Sequence, residues 1–176
     1  CRAQLFDAPV AFGSIAGPNI YTGLLPVDLD NDGDLDVIAA RNYGFALETY
    51  FGDGAGGFSQ GPIVSTPGTT IAGSCVGREP IGAADFNSDG LKDYVTYLPV
   101  EGVRVFLNVG GGGFSASGSY NFGLGVEYGG TCIGDFDGDG LAEIAVCGST
   151  TFATFPGCSG YVGTGGGNVR ILRYDA

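Results

Sequence analysis

One nine-residue pattern recurs three times along the chain. DLDNDGDLD begins at Asp28, DFNSDGLKD at Asp85 and DFDGDGLAE at Asp135, 57 and 50 residues apart. Self-similarity at such a period restricts a chain to arrays of one supersecondary unit. The flanks repeat as well. Each acidic stretch is followed by a short apolar run, VIAA at 37–40, YVTYL at 94–98 and IAVC at 144–147. A second run follows: ETYFG at 48–52, VRVFLN at 103–108, VRILRY at 169–174. The first two lead into glycine turns that end in Phe, GDGAGGF at 52–58 and GGGGF at 110–114.

Short apolar runs bounded by Gly or Asp read as strands, and no segment sustains a helical period. The expectation is an all-β chain with almost no helix, built as three four-stranded antiparallel blades of the propeller type. The acidic loop joins strands 1 and 2 of each blade, and strand 4 starts at the Phe. The units run approximately 6–57, 58–113 and 114–176 in a single array over 1–176. Phe6 aligns with Phe58 and Phe114, so the chain opens on a strand 4 and closes at VRILRYDA on a strand 3. The ends are thus offset within a blade and complement each other. Propellers typically close with about four to eight blades. Three units therefore imply a piece of a longer array, or copies joined head to tail. Uncovered sheet edges invite such joining.

Charge is concentrated in the repeat. The three nine-residue stretches hold 12 of the 19 acidic residues, and the formal charge is −12. The rest of the chain is almost neutral and carries no basic patch, which excludes nucleic acid as a partner. No run of about 18 apolar residues exists, so no membrane-spanning helix is expected.

Carboxylates packed this densely repel one another unless a cation neutralises them. Calcium takes six to eight hard oxygens, and acids alternating along a tight loop supply them. Side chains at positions 1, 3, 5 and 9 converge, position 7 lends its carbonyl, and Gly at position 6 permits the bend. The first loop offers Asp28, Asp30, Asp32, the Asp34 carbonyl and Asp36. The second offers Asp85, Asn87, Asp89, the Leu91 carbonyl and Asp93. The third offers Asp135, Asp137, Asp139, the Leu141 carbonyl and Glu143. Three Ca²⁺ would bring the formal charge from −12 to −6. Magnesium fits less well, because it demands tighter octahedral geometry. Asn87 removes a charge and Lys92 adds a cation, so the second site is expected to be weakest.

These loops, with YFGDGAGGF and FLNVGGGGF after the first two, resemble the FG-GAP/VCBS repeats, the blades of integrin α subunits and of many surface proteins. The resemblance covers residues 5–176. It implies one Ca²⁺ per loop, an extracellular or cell-surface setting, and ligands that meet the opposite face or the rim. Relatives of this kind include adhesion receptors, lectins and accessory domains of secreted enzymes.

There are five Cys, no His and no C-x-x-C, which argues against zinc. Disulfides suit a secreted β protein better. Cys147 with Cys158 would staple the long 147–167 excursion of the third unit, and Cys75 with Cys132 is a second candidate pair. Cys1 is left over, as a lipidated terminus, an interchain bridge or a cut point. The chain has no Met and no apolar leader, which reads as a processed chain or an excised fragment.

An enzyme is not expected, since no His serves acid–base chemistry and no G-x-S-x-G elbow appears. The expected role is structural or adhesive, through other copies of the chain (ring or filament) or a larger surface protein. Two rivals are a glycan-binding lectin module and an accessory domain of a secreted enzyme. For a glycan, the rim candidates are Arg41, Asn42, Tyr43 and Glu79, with Tyr97 and the excursion aromatics as stacking surfaces.

Overall fold

The structure is a computed structural model that describes residues 11, 21–41, 46–65, 80–98, 102–120, 127–149, 152–155, 158–163 and 167–173. All of its regular elements are strands. The first sheet has the order β1 (Tyr21–Val27), β2 (Asp36–Arg41), β3 (Ala46–Gly52), β4 (Phe58–Ser65). The second repeats it with β5 (Pro80–Ala84), β6 (Asp93–Leu98), β7 (Gly102–Asn108) and β8 (Phe114–Tyr120). In the third, β10 (Glu143–Ser149) lies between β9 (Glu127–Gly134) and β13 (Gly167–Leu172). All pairings are antiparallel. The three sheets are open, and no closed barrel forms among the described residues.

Three four-stranded blades were expected, and two are found. Among the described residues the third sheet has three strands, because no fourth strand lies beside β13. The expected opening strand at Phe6 lies outside the described residues. The excursion after β10 also differs from expectation. It forms its own hairpin, β11 (Phe152–Phe155) with β12 (Cys158–Gly163). Backbone pairing closes this excursion where a Cys147–Cys158 staple was expected. Cys132 and Cys147 are exposed, and no disulfide is seen among the described residues. Cys147 stands within β10, opposite Gly130 and Val169, whereas Cys158 opens β12 opposite Phe155. Cys1 and Cys75 lie outside the described residues.

The sheets stack face to face, with first strands β1, β5 and β9 adjacent. Two cores result. Leu29, Ile38, Ala40 and Leu47 of the first sheet meet Tyr94 and Phe106 of the second. Val95, Val103 and Val105 on the other face of the second sheet meet Ile144 and Val146 of the third. This explains why β6 does not alternate between apolar and polar residues: a strand covered on both faces has no solvent side to keep polar. Tyr94 stacks on its cross-strand partner Phe106, with centroids 4.9 Å apart, and meets Phe114 edge-on at 4.8 Å. At Gly82 in β5 the sheets come close: a Cβ there would stand 2.6 Å from Ile133 Cδ1 of β9, and the end of that side chain would have to shift to admit it.

Irregularities repeat in register too. β3 shifts between Glu48 and Tyr50, and β7 between Arg104 and Phe106, which occupy equivalent positions. Such bulges bend a strand and increase its twist. The first two sheets therefore share curvature as well as strand order.

Candidate metal centre

The three loops fold by one hydrogen-bonding scheme. Position 1 accepts from the amide at position 6: Gly33 N–H to Asp28 Oδ2 at 3.2 Å, Gly90 to Asp85 at 2.9 Å, Gly140 to Asp135 at 2.9 Å. Position 3 accepts from position 5: Asp32 N–H to Asp30 at 3.3 Å, Asp89 to Asn87 and Asp139 to Asp137 at 3.2 Å. Position 5 accepts from position 7 at 2.8 Å in all three, from Asp34, Leu91 and Leu141. Short acidic side chains thus fold the backbone over themselves, as Asp and Asn do in Asx turns. Gly33, Gly90 and Gly140 have φ of 94°, 91° and 93°, a region that side chains with a Cβ rarely adopt.

Two features of this scheme were not read from the sequence. Position 4 is also left-handed, with Asn31 at φ 61°, Ser88 at 60° and Gly138 at 80°. Asn and Gly are the residues most tolerant of that region, and this was the available signal. Position 9 is a buried latch. Asp36 is 0 % exposed and accepts from Leu29 N–H (2.7 Å) and from Gly52 N–H at the end of β3 (2.9 Å). Asp93 repeats this with Phe86 N–H (2.9 Å) and Asn108 N–H (2.8 Å). Glu143 takes Phe136 N–H at 2.8 Å. The ninth residue was expected as a ligand. It also ties each loop to its own sheet.

The loops gather their carboxylates differently. In the third, oxygens of Asp135, Asp137, Asp139 and Glu143 lie within 4.8 Å of one another. In the first, Asp28, Asp30 and Asp36 do so. There the Asp34 side chain lies against Gly54 of the β3–β4 turn. In the second loop the Asn87 amide donates to Asp89 Oδ2 at 2.9 Å, taking part of a cation's place. In the third, the Arg173 guanidinium pairs with Asp137.

The crowding has an electrostatic signature. Burial and then the neighbouring Asp32 charge hold the Asp30 carboxyl above the usual range, with Asp36 and Asp28 adding to the shift. Burial also raises Asp93, against the pull of its two amide bonds. A hard divalent cation fits this donor set. Asp28 Oδ1 is buried without a hydrogen-bond partner, an acceptor oxygen left for a ligand to satisfy. Asp28, Asp30 and Asp36, and Asp135, Asp137, Asp139 and Glu143, would hold such an ion.

The loops also touch each other. Asn31 Nδ2 donates to Gly90 O at 2.6 Å. Buried Asn108 donates to Leu29 O at 2.8 Å and to Lys92 O at 3.2 Å. Of the rim candidates, Arg41 ends β2, and Asn42, Tyr43 and Glu79 lie outside the described residues. Among the described residues no helix is long and apolar enough to cross a membrane.

No curated protein and no solved structure gives a significant match to the chain. The family model of the FG-GAP-like repeat matches it twice, over residues 28–96 and 85–146. Both matches begin on the first aspartate of an acidic loop and run past the next one. Together they span more than half of the 176 residues. On its loops, its strand pattern and these matches, the chain belongs to the FG-GAP-like repeat family.

Proposed function

We propose that the chain is a calcium-rigidified structural module of an extracellular or cell-surface protein, with an adhesive rather than an enzymatic role. Its sheets are blades of the β-propeller type, each stiffened by one Ca²⁺ in its acidic loop. The observation that carries the reading is the convergence of carboxylates in the first and third loops, with Asp28 Oδ1 buried and unsatisfied at the first. FG-GAP repeats are typical of extracellular proteins, which supports the setting.

Assembly with further repeat sheets, from other copies or from a larger surface protein, is part of the reading. It is supported at the third sheet. β13 has β10 as its one neighbour among the described residues. Phe136 is 45 % and Ile171 56 % exposed, where the equivalent Phe86 and Val105 are buried against the next sheet. A face patterned like those the next sheet covers, but bare, fits a further sheet of the same kind.

Thermal unfolding and light scattering, with Ca²⁺ and then with chelator, test both parts. Saturation at a hundred times Kd stabilises a site by about 2.7 kcal/mol, so the melting temperature should rise clearly. Identical melting in both conditions would overturn the calcium reading. A calcium-loaded chain that stays monomeric at high concentration would overturn self-assembly.

A further inference from the structure

We infer that cation binding at the first and second loops is positively coupled, and that the third loop binds independently of them. The inference rests on the cation reading above, taken to include the second loop, where Asp85, Asn87, Asp89 and Asp93 stand at the same loop positions and make the same backbone bonds. The coupling is carried by contacts made by the two asparagines, Asn31 and Asn108.

The path runs through one peptide group. Asn31, at position 4 of the first loop, donates to the carbonyl of Gly90. The N–H of that same peptide unit, from Leu91, donates to Asp89 Oδ1 at 2.8 Å. A carboxylate at position 5 of the second loop is therefore aligned by a peptide that the first loop holds. Bonds in series across a peptide polarise and reinforce one another. Asn108 supplies a second tie. Its side chain is 1 % exposed and bridges Leu29 O of the first loop and Lys92 O of the second, while its own N–H holds Asp93.

An ion in the first loop relieves the repulsion among Asp28, Asp30 and Asp32. It thereby fixes the turn that carries Asn31 and Leu29. Those groups then hold the Gly90–Leu91 peptide and the Lys92 carbonyl where the second loop needs them. Ordering that serves both sites is supplied once, so the second ion binds to a loop already arranged. Among the described residues no equivalent tie reaches the third loop. Ser88 occupies the position of Asn31 and makes no such bond to the third loop among the described residues.

Calorimetric Ca²⁺ titration tests this with paired sites. Asp139→Asn silences the third loop, and adding Asp89→Asn or Asp30→Asn isolates the first or the second. The product of the two association constants in the pair should exceed the product of the isolated constants by about 5- to 150-fold, the usual range of site coupling. Asn31→Gly, which puts the third loop's residue in the same left-handed position, should remove most of that excess. Its melting in chelator should match the parent, which shows that the fold is kept. The pair of second and third loops, measured alike, should show no excess and controls for the lost charge. Calcium bound at all three loops with no excess for the first pair would overturn the coupling and leave the cation reading intact. An equal excess for both pairs, or one that survives Asn31→Gly, would overturn its assignment to these side chains. Absence of any Ca²⁺ binding would remove the cation reading itself, and the coupling with it.

Discussion

The second and third sheets are built from nearly the same pattern, yet equivalent residues have opposite fates. Phe86 follows the first aspartate of its loop and is 4 % exposed, and Phe136 does the same and is 45 % exposed. Val105 lies opposite Val95 on the middle two strands, and Ile171 lies opposite Ala145. Val105 is 6 % exposed and Ile171 56 %. Neither residue type nor local backbone explains the difference. Among the described residues the second sheet has a neighbouring sheet on both faces, and the third on one. Burial in a stacked array belongs to the interface between units rather than to the unit, and stability is accordingly a sum over nearest neighbours.

The largest expected effect breaks this comparison directly. Phe86→Ala should destabilise by about 3–5 kcal/mol, the cost of emptying a packed aromatic site. Phe136→Ala should fall within about 0.5 kcal/mol of the parent, as surface changes do. Denaturant midpoints of the two variants decide it, and similar losses would mean that the third face is covered in solution. Next comes the latch. Asp93→Ala leaves the amides of Phe86 and Asn108 without their acceptor. It should cost about 1–3 kcal/mol for each amide left buried and unpaired, and calcium should not restore it. Glu143→Ala, with one such bond among the described residues, should lose less. Equal losses would deny the second sheet its special status.

A smaller effect is expected at Tyr94, whose hydroxyl is buried without a partner. Tyr94→Phe should be neutral or stabilising by up to about 1 kcal/mol, since an unsatisfied polar group leaves the core. A loss in thermal unfolding would reveal a partner for the hydroxyl. The smallest is a change of slope with pH in calcium-free buffer. Asp30 and Asp93 are held above the ordinary carboxyl value, near 4 for a free chain. Between the two values the folded chain keeps a proton that the unfolded chain has lost. Stability should therefore fall as pH rises through that window and recover as pH is lowered into it. Saturating Ca²⁺ should flatten the slope. A monotonic loss on acidification from neutral pH would reverse the sign assigned to the crowding.

Much of this was legible in the sequence, for definite reasons. The loops carry their own folding instructions, because Asp at positions 1, 3 and 5 and Gly at position 6 act on backbone a few residues away. The apolar runs marked β2, β6 and β10, and the phenylalanines after the glycine turns marked the starts of β4 and β8. What escaped depended on partners distant in sequence. The ninth residue reads as one more acid, and its second role needs the end of strand 3 beside it. Asn108 reads as the last residue of the run VRVFLN, and it meets Leu29 across 79 positions. The β11–β12 hairpin hid in an excursion whose glycines and threonines looked like a connection. The cysteines invited a staple there, and spacing alone does not fix a pairing.

The position-9 latch has a kinetic and calorimetric consequence. Asp36 and Asp93 fasten their loops to the end of strand 3 through backbone amides. An arriving cation therefore meets a loop whose ninth carboxylate is already fastened, and the ordering left to it is confined to the short turn ahead of that residue. Association should be limited by shedding of the ion's water rather than by chain motion. Little apolar surface changes hands, so the heat capacity of binding should stay near zero, unlike that of coupled folding and binding.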